Sequence, residues 1–236
     1  MEAFETPVSG EFVDRVALLW QKILRVDHAN TFAGASAIAI DRPHGHDRLP
    51  QPGYVGVRYR PGGILLLGQN PGNDAIGKGV SAEDLQQYAI LHRLKDAPDA
   101  AAAVAVAKEL MAALAENVMP TWPIIRNVVQ PLLTKLGIGL DDIAYTNLVK
   151  FRTINSGIKG SIYDASWPVT LEQISLLNPA NIIALGVETN KQFKRLYRDR
   201  GGAHVYHIPR AIGDTRLSAE GAEAIDYIVR QLLPTR

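Results

Sequence analysis

Four short runs of mostly apolar residues, at 64–67, 143–146, 181–185 and 203–206, constrain this chain more than any other feature. Each is too short for a helix and reads as a strand buried on both faces. Helical spacing fills the intervals between them. Residues 82–94 and 100–117 are rich in Ala and Leu, 124–136 follows the start signal Trp122-Pro123, and 171–177, 189–200 and 219–233 repeat apolar positions at helical spacing, as 12–24 does ahead of the first strand. A strand that returns through a helical crossover comes back parallel, so the expected fold is α/β. In detail it is a single-domain, three-layer α/β/α arrangement around a central, mostly parallel four-stranded sheet. One domain over 1–236 is expected, with a helical insertion at about 73–120 and an irregular, Gly- and Pro-containing excursion at 27–63.

Composition removes several chemistries. The chain has no cysteine, which excludes disulfides, thiolate-held zinc or iron–sulfur clusters, and a Cys nucleophile. Its first seven residues are acidic rather than basic, and no apolar run approaches the ~20 residues of a membrane span, so a soluble, cytoplasmic protein with no membrane contact is expected. The net charge is only +1, but it is unevenly distributed. Basic residues number 13 against 16 acidic over 1–147, and 10 against 5 over 148–216. That local excess suits phosphate contacts, and equally suits a solvated face.

In open α/β sheets ligands bind beyond the carboxyl ends of the strands. The first run is followed by Gly68-Gln69-Asn70-Pro71-Gly72. The second closes on Asn147, with Lys150 and Arg152 just beyond, and the last on His207, with Pro209 and Arg210 after it. The third ends in Gly186, which has no side chain to offer. Singly, Asn-Pro-Gly is also an ordinary turn, Asn147 a strand-end capping residue and His207 a structural histidine. Together they would bring an amide, an imidazole and a Gly-rich loop with open N–H groups to one rim of one sheet.

At these residues the chain resembles the uracil-DNA glycosylase superfamily. Gly68-Gln69-Asn70-Pro71-Gly72 is similar to the first motif of its mismatch-specific and single-strand-selective branches, and Gln69 matches the second position of the classical loop. Tyr145-Thr146-Asn147-Leu148-Val149-Lys150-Phe151-Arg152 resembles the strand end of the thermophilic iron–sulfur branch. Residues 182–186 resemble the strand before the last motif, and His207-Ile208-Pro209 resembles that motif. The similarity spans roughly residues 62–210. This chain departs from the pattern in three ways: Ile208 separates His207 from Pro209, the cluster cysteines are absent, and 73–85 lacks the aromatic that stacks on the base in relatives, leaving Tyr88 or Trp122 as substitutes.

The resemblance implies a monofunctional, cofactor-free and metal-free glycosylase that acts as a monomer on uracil-containing DNA, single or double stranded, and leaves an abasic site for base excision repair. The base must be flipped from the stack at a cost of a few kcal/mol, less for a mispaired one. Asn147 would match the O4 acceptor and N3–H donor of uracil, while Gly68, Gln69, Pro71 and Gly72 line the base site. Gly72 stands where the classical branch has a Tyr that blocks the thymine methyl. Asn70 would position the attacking water, and His207 with the backbone N–H groups near Gln69 would receive charge on O2. Lys150 and Arg152 would hold phosphates, and 210–217, with Arg210 and Arg216, would enter the duplex.

Other readings remain. Excision of hypoxanthine or xanthine, a DNA-binding relative that does not cut, and a small-molecule or nucleotide hydrolase on a doubly wound sheet are all compatible with the fold. The last lacks a phosphate-binding loop or a Gly-x-Ser-x-Gly elbow. His44, His46 and Asp47 could form a metal site, with no further ligand evident in the sequence.

Overall fold

A computed structural model describes residues 10–26, 49–71, 82–152, 158–198, 202–210 and 215–233. The possible metal ligands His44, His46 and Asp47, as well as Gly72 and the first residues of the 73–120 insertion, lie outside them.

Five strands form one mixed, mostly parallel sheet: β1 (Tyr54–Val55), β2 (Ile64–Gly68), β3 (Ile143–Asn147), β4 (Asn181–Leu185) and β5 (His204–Ile208), in the order β1-β3-β2-β4-β5. The four expected strands are present and parallel, and β1 adds an antiparallel edge against β3. The sheet is therefore five-stranded rather than four-stranded. Two residues are too few to show a period, so β1 has no signature in sequence. It can pair because Gly53 and Gly56 flank it. A Cβ on Gly53 (φ +98°) would lie 2.4 Å from the Tyr145 carbonyl oxygen, and one on Gly56 2.2 Å from that of Asp141.

Seven α-helices are described: α1 (Gly10–Leu24), α2 (Ala82–Lys95), α3 (Ala100–Ala113), α4 (Gln130–Leu136), α5 (Gly160–Leu177), α6 (Val187–Leu196) and α7 (Ala219–Leu232). Asp99 caps α3 by accepting the Ala102 N–H at 2.8 Å, and Ser218 caps α7 by accepting that of Gly221 at 3.0 Å. The α5 helix begins eleven residues before the expected 171, running through Pro168. Proline inside a helix removes a hydrogen bond and clashes with the preceding turn. Here the inward stripe Ile162, Tyr163, Ser166 and Thr170 is buried and holds the first half of the helix in place. None of the described helices is long and apolar enough to cross a membrane.

Consecutive residues Leu65, Leu66 and Leu67 are all fully buried, which requires cover on both faces of the sheet. Residues paired across a parallel ladder share a face, so register assigns the cover. Tyr145 and Tyr206 lie on one face, where they meet Trp122 and Tyr227 of α7. Thr146 lies on the other and bonds Gln173 of α5, which packs on α6. The crossover from β2 to β3 runs one way across the sheet, whereas those from β3 to β4 and β4 to β5 run the other. The switch point therefore falls between the carboxyl ends of β2 and β4.

Candidate functional site

The β3 strand continues beside the end of β2: the N–H groups of Leu148 and Val149 donate to the carbonyls of Gly68 and Gln69, both at 2.9 Å. Gly68 pairs with Asn147. A Cβ on Gly68 would lie 2.3 Å from Asn147 Oδ1 and 2.7 Å from the Tyr145 hydroxyl oxygen, so the bare glycine is what admits the amide. Tyr145 and Asn147 project from one face of β3, two residues apart. The Tyr145 hydroxyl donates to Asn147 Oδ1 at 3.3 Å. Burial pushes the Tyr145 phenol up to about 12, so it keeps the proton it donates. That bond ties the Asn147 amide to the Tyr145 hydroxyl on the same face of the strand.

Gln69 is buried, and its Nε2 donates to the Tyr163 hydroxyl at 2.8 Å, tying the loop after β2 to α5. Burial likewise raises Tyr163 to about 12. Asn70 and Pro71 follow, half-buried at the rim. Trp122 is half-buried with its ring centroid 6.0 Å from that of Tyr145, whereas Tyr88 is enclosed in the core. Of the two aromatic substitutes, Trp122 is the one at the rim. It stands between two π-helical turns, Leu114–Val118 and Ile125–Val129, a rare geometry that is frequent at functional sites.

Two expectations are corrected. Lys150 is not a surface cation: it is 2 % exposed, and its ammonium donates to Thr146 Oγ1 at 2.6 Å and to the Asn147 carbonyl and Gln173 Oε1, each at 2.7 Å. Burial pushes its pKa well below the usual lysine range. It braces the turn after β3 and cannot reach a phosphate from there. His207 does not converge with Asn147. It pairs with Ala184, which pairs with Leu67, which pairs with Thr146, so its side chain leaves the sheet on the Thr146 face.

Arg152 is half-buried near the end of β3, and Arg216 is exposed just before α7. Arg210 is half-buried and lies across the end of β4, near enough to the Tyr145 phenol to oppose the rise in its pKa. The structure thus gathers Gly68, Gln69, Asn70, Pro71, Asn147 and Arg210 around the switch point, and leaves Lys150 and His207 outside it. Sequence reasoning missed Tyr145 and Tyr163 as supports. The signal for Tyr145 was its spacing of two from Asn147 within a strand, which puts both on one face.

The fold and this rim define an open, mostly parallel α/β protein with an amide-centred polar site at its topological switch point. No family model matches the chain, and no curated protein matches it.

Proposed function

We propose that this protein is a monofunctional DNA glycosylase that excises uracil by hydrolysing the N-glycosidic bond, leaving an abasic site. The observation that carries the reading is the Asn147 amide, held across bare Gly68 by the Tyr145 hydroxyl beside the Gln69-Asn70-Pro71 loop. An Asn can offer its N–H to O4 of uracil and an Oδ1 lone pair to N3–H. Cytosine presents the reverse pattern, and forcing it in leaves buried groups unpaired at roughly 1–3 kcal/mol each. Recognition of this kind requires that the amide keep one orientation when the base is bound, and the contact with the Tyr145 hydroxyl holds the amide at the rim.

Trp122 supplies an aromatic wall for the flipped base. Asn70, at the mouth of the loop, positions the water that attacks the sugar carbon as positive charge develops there. Lys150 is enclosed by Thr146, the Asn147 carbonyl and Gln173, away from the rim, so it is not the nucleophile of this reading, in which water attacks the sugar. Arg152 and Arg216 remain for phosphate contacts within the basic 148–216 segment.

The test is a labelled duplex carrying one uracil opposite guanine, incubated with the protein and then treated with alkali, beside Asn70→Ala and Asn147→Asp variants. Wild-type cleavage that collapses in Asn70→Ala is expected, and in Asn147→Asp uracil cleavage should fall because the carboxylate cannot donate to O4. Absence of wild-type cleavage at uracil overturns the reading. Cleavage of hypoxanthine or xanthine substrates instead would move the specificity to those bases.

A further inference from the structure

Breaking the C1′–N1 bond sends its electron pair into the uracil ring, where the charge is delocalised onto O2, so some donor must face that oxygen. Register places His207 on the wrong face of the sheet for this task. The chain beyond it supplies a different cation. The Gly186 N–H donates to the Ile208 carbonyl at 2.9 Å and the Val187 N–H to the Arg210 carbonyl at 3.4 Å, so 208–210 continues alongside the end of β4 and across the start of α6. Gly186 has φ +112°, a conformation that side chains rarely adopt. A Cβ there would meet Arg210 Cγ at 3.3 Å and Nε at 3.6 Å. The missing side chain of Gly186 is the space the Arg210 stem occupies.

We propose that Arg210, rather than His207, is the catalytic residue that stabilises the negative charge on the departing base; this rests on the glycosylase reading above. Two observations support the placement. Arg210 is on β4's side of the switch-point cleft, opposite the Gly68–Pro71 loop and one strand nearer to Asn147 than His207 is. Its charge also opposes the rise in the pKa of the Tyr145 hydroxyl, which touches the Asn147 amide, so the guanidinium is within electrostatic reach of that pair. The amino terminus of α6, with the positive end of its dipole, opens at the same point. The electron balance is that of hydrolysis. The pair from C1′–N1 leaves with the base, the Asn70-held water adds its oxygen to C1′, and the proton that water loses neutralises the base through solvent. Arg210 donates hydrogen bonds throughout and keeps its protons.

Single-turnover excision of uracil and of 5-fluorouracil from the same oligonucleotide separates this role from a merely structural one. The fluorinated base is the better leaving group and depends less on stabilisation of its anion. Arg210→Gln is expected to slow uracil release about 100-fold, the usual effect of removing one such donor, and 5-fluorouracil release much less. Arg210→Lys, which keeps the charge, should fall between on uracil, and His207→Gln should stay close to wild type on both. Equal losses on the two bases in both Arg210 variants, or a uracil-selective loss in His207→Gln, would overturn the assignment while leaving the glycosylase reading intact. A wild type that releases neither base would overturn both. Thermal melting of each variant identifies a loss that comes from unfolding, and the retained-charge variant decides the matter if Arg210→Gln does not fold.

Discussion

Replacing Gly68 by alanine places one methyl group where the structure has no room. Its Cβ would lie 2.3 Å from Asn147 Oδ1 and 2.7 Å from the Tyr145 hydroxyl, against the 3.4 Å at which ordinary contact begins. The amide would have to retreat by about 1 Å, a displacement that can cost about 100-fold in rate when it misplaces a binding group. Tyr145 cannot easily yield instead, because the Trp122 ring lies against it. Overpacking of this kind destabilises by about 1–3 kcal/mol. The assay is urea unfolding for stability and single-turnover uracil release for rate. Gly68→Ala is expected to lose both. Tyr145→Phe removes the oxygen responsible for one of the two collisions, so the double variant should be more stable than the sum of the single effects implies. A Gly68→Ala protein with wild-type stability and rate would refute the claim that the glycine exists to admit the amide. Loss of stability alone, with the rate unchanged, would leave the packing argument standing and detach Asn147 from the chemistry.

Two further outcomes follow from the buried polar groups. Lys150 has a folded pKa well below its ordinary value, so between the two values the unfolded chain binds the extra proton and stability rises with pH, by up to about 1.4 kcal/mol per pH unit. Stability is lost as pH falls through that window. Lys150→Met removes this dependence, so wild type should gain on the variant in urea unfolding as pH rises toward the ordinary lysine value, with parallel curves counting against the argument. Tyr163→Phe takes away the hydroxyl that accepts from buried Gln69 Nε2, for an expected cost of about 1–3 kcal/mol; a neutral outcome would show that Gln69 has an equivalent partner within reach.

Much of the architecture was legible from local pattern. Runs of three or four buried apolar residues leave little choice but an interior parallel strand, and β2, β3 and β4 were evident for that reason, while β5, a half-exposed edge strand, was evident from its short run of mostly apolar residues alone. Gly68 to Pro71 and Asn147 were likewise visible as polar residues that directly follow such runs. The β1 strand was not, since its pairing is made by glycines approaching another strand's backbone. Nor was the first half of α5, where burial of Ile162 and Tyr163 outweighs a helix-interior proline that argues locally against the helix.

The functional assignments divide along the same line. Chain order alone determined that the Gln69-Asn70 loop and the ends of the strands would meet at one rim, because parallel strands must all end on the same side. Which side chains face that rim depends on register and burial, and neither is carried by any single segment. Lys150 looked like a surface cation until Thr146, Asn147 and Gln173 closed around it. His207 looked like the last motif's histidine until pairing with Ala184 turned it to the other face. Arg210 drew attention as one of several basic residues, and only the bare Gly186 beneath it distinguishes its place. The chain wrote the rim into its order of elements; a period-two alternation, summed across four strands, decided which residues occupy it.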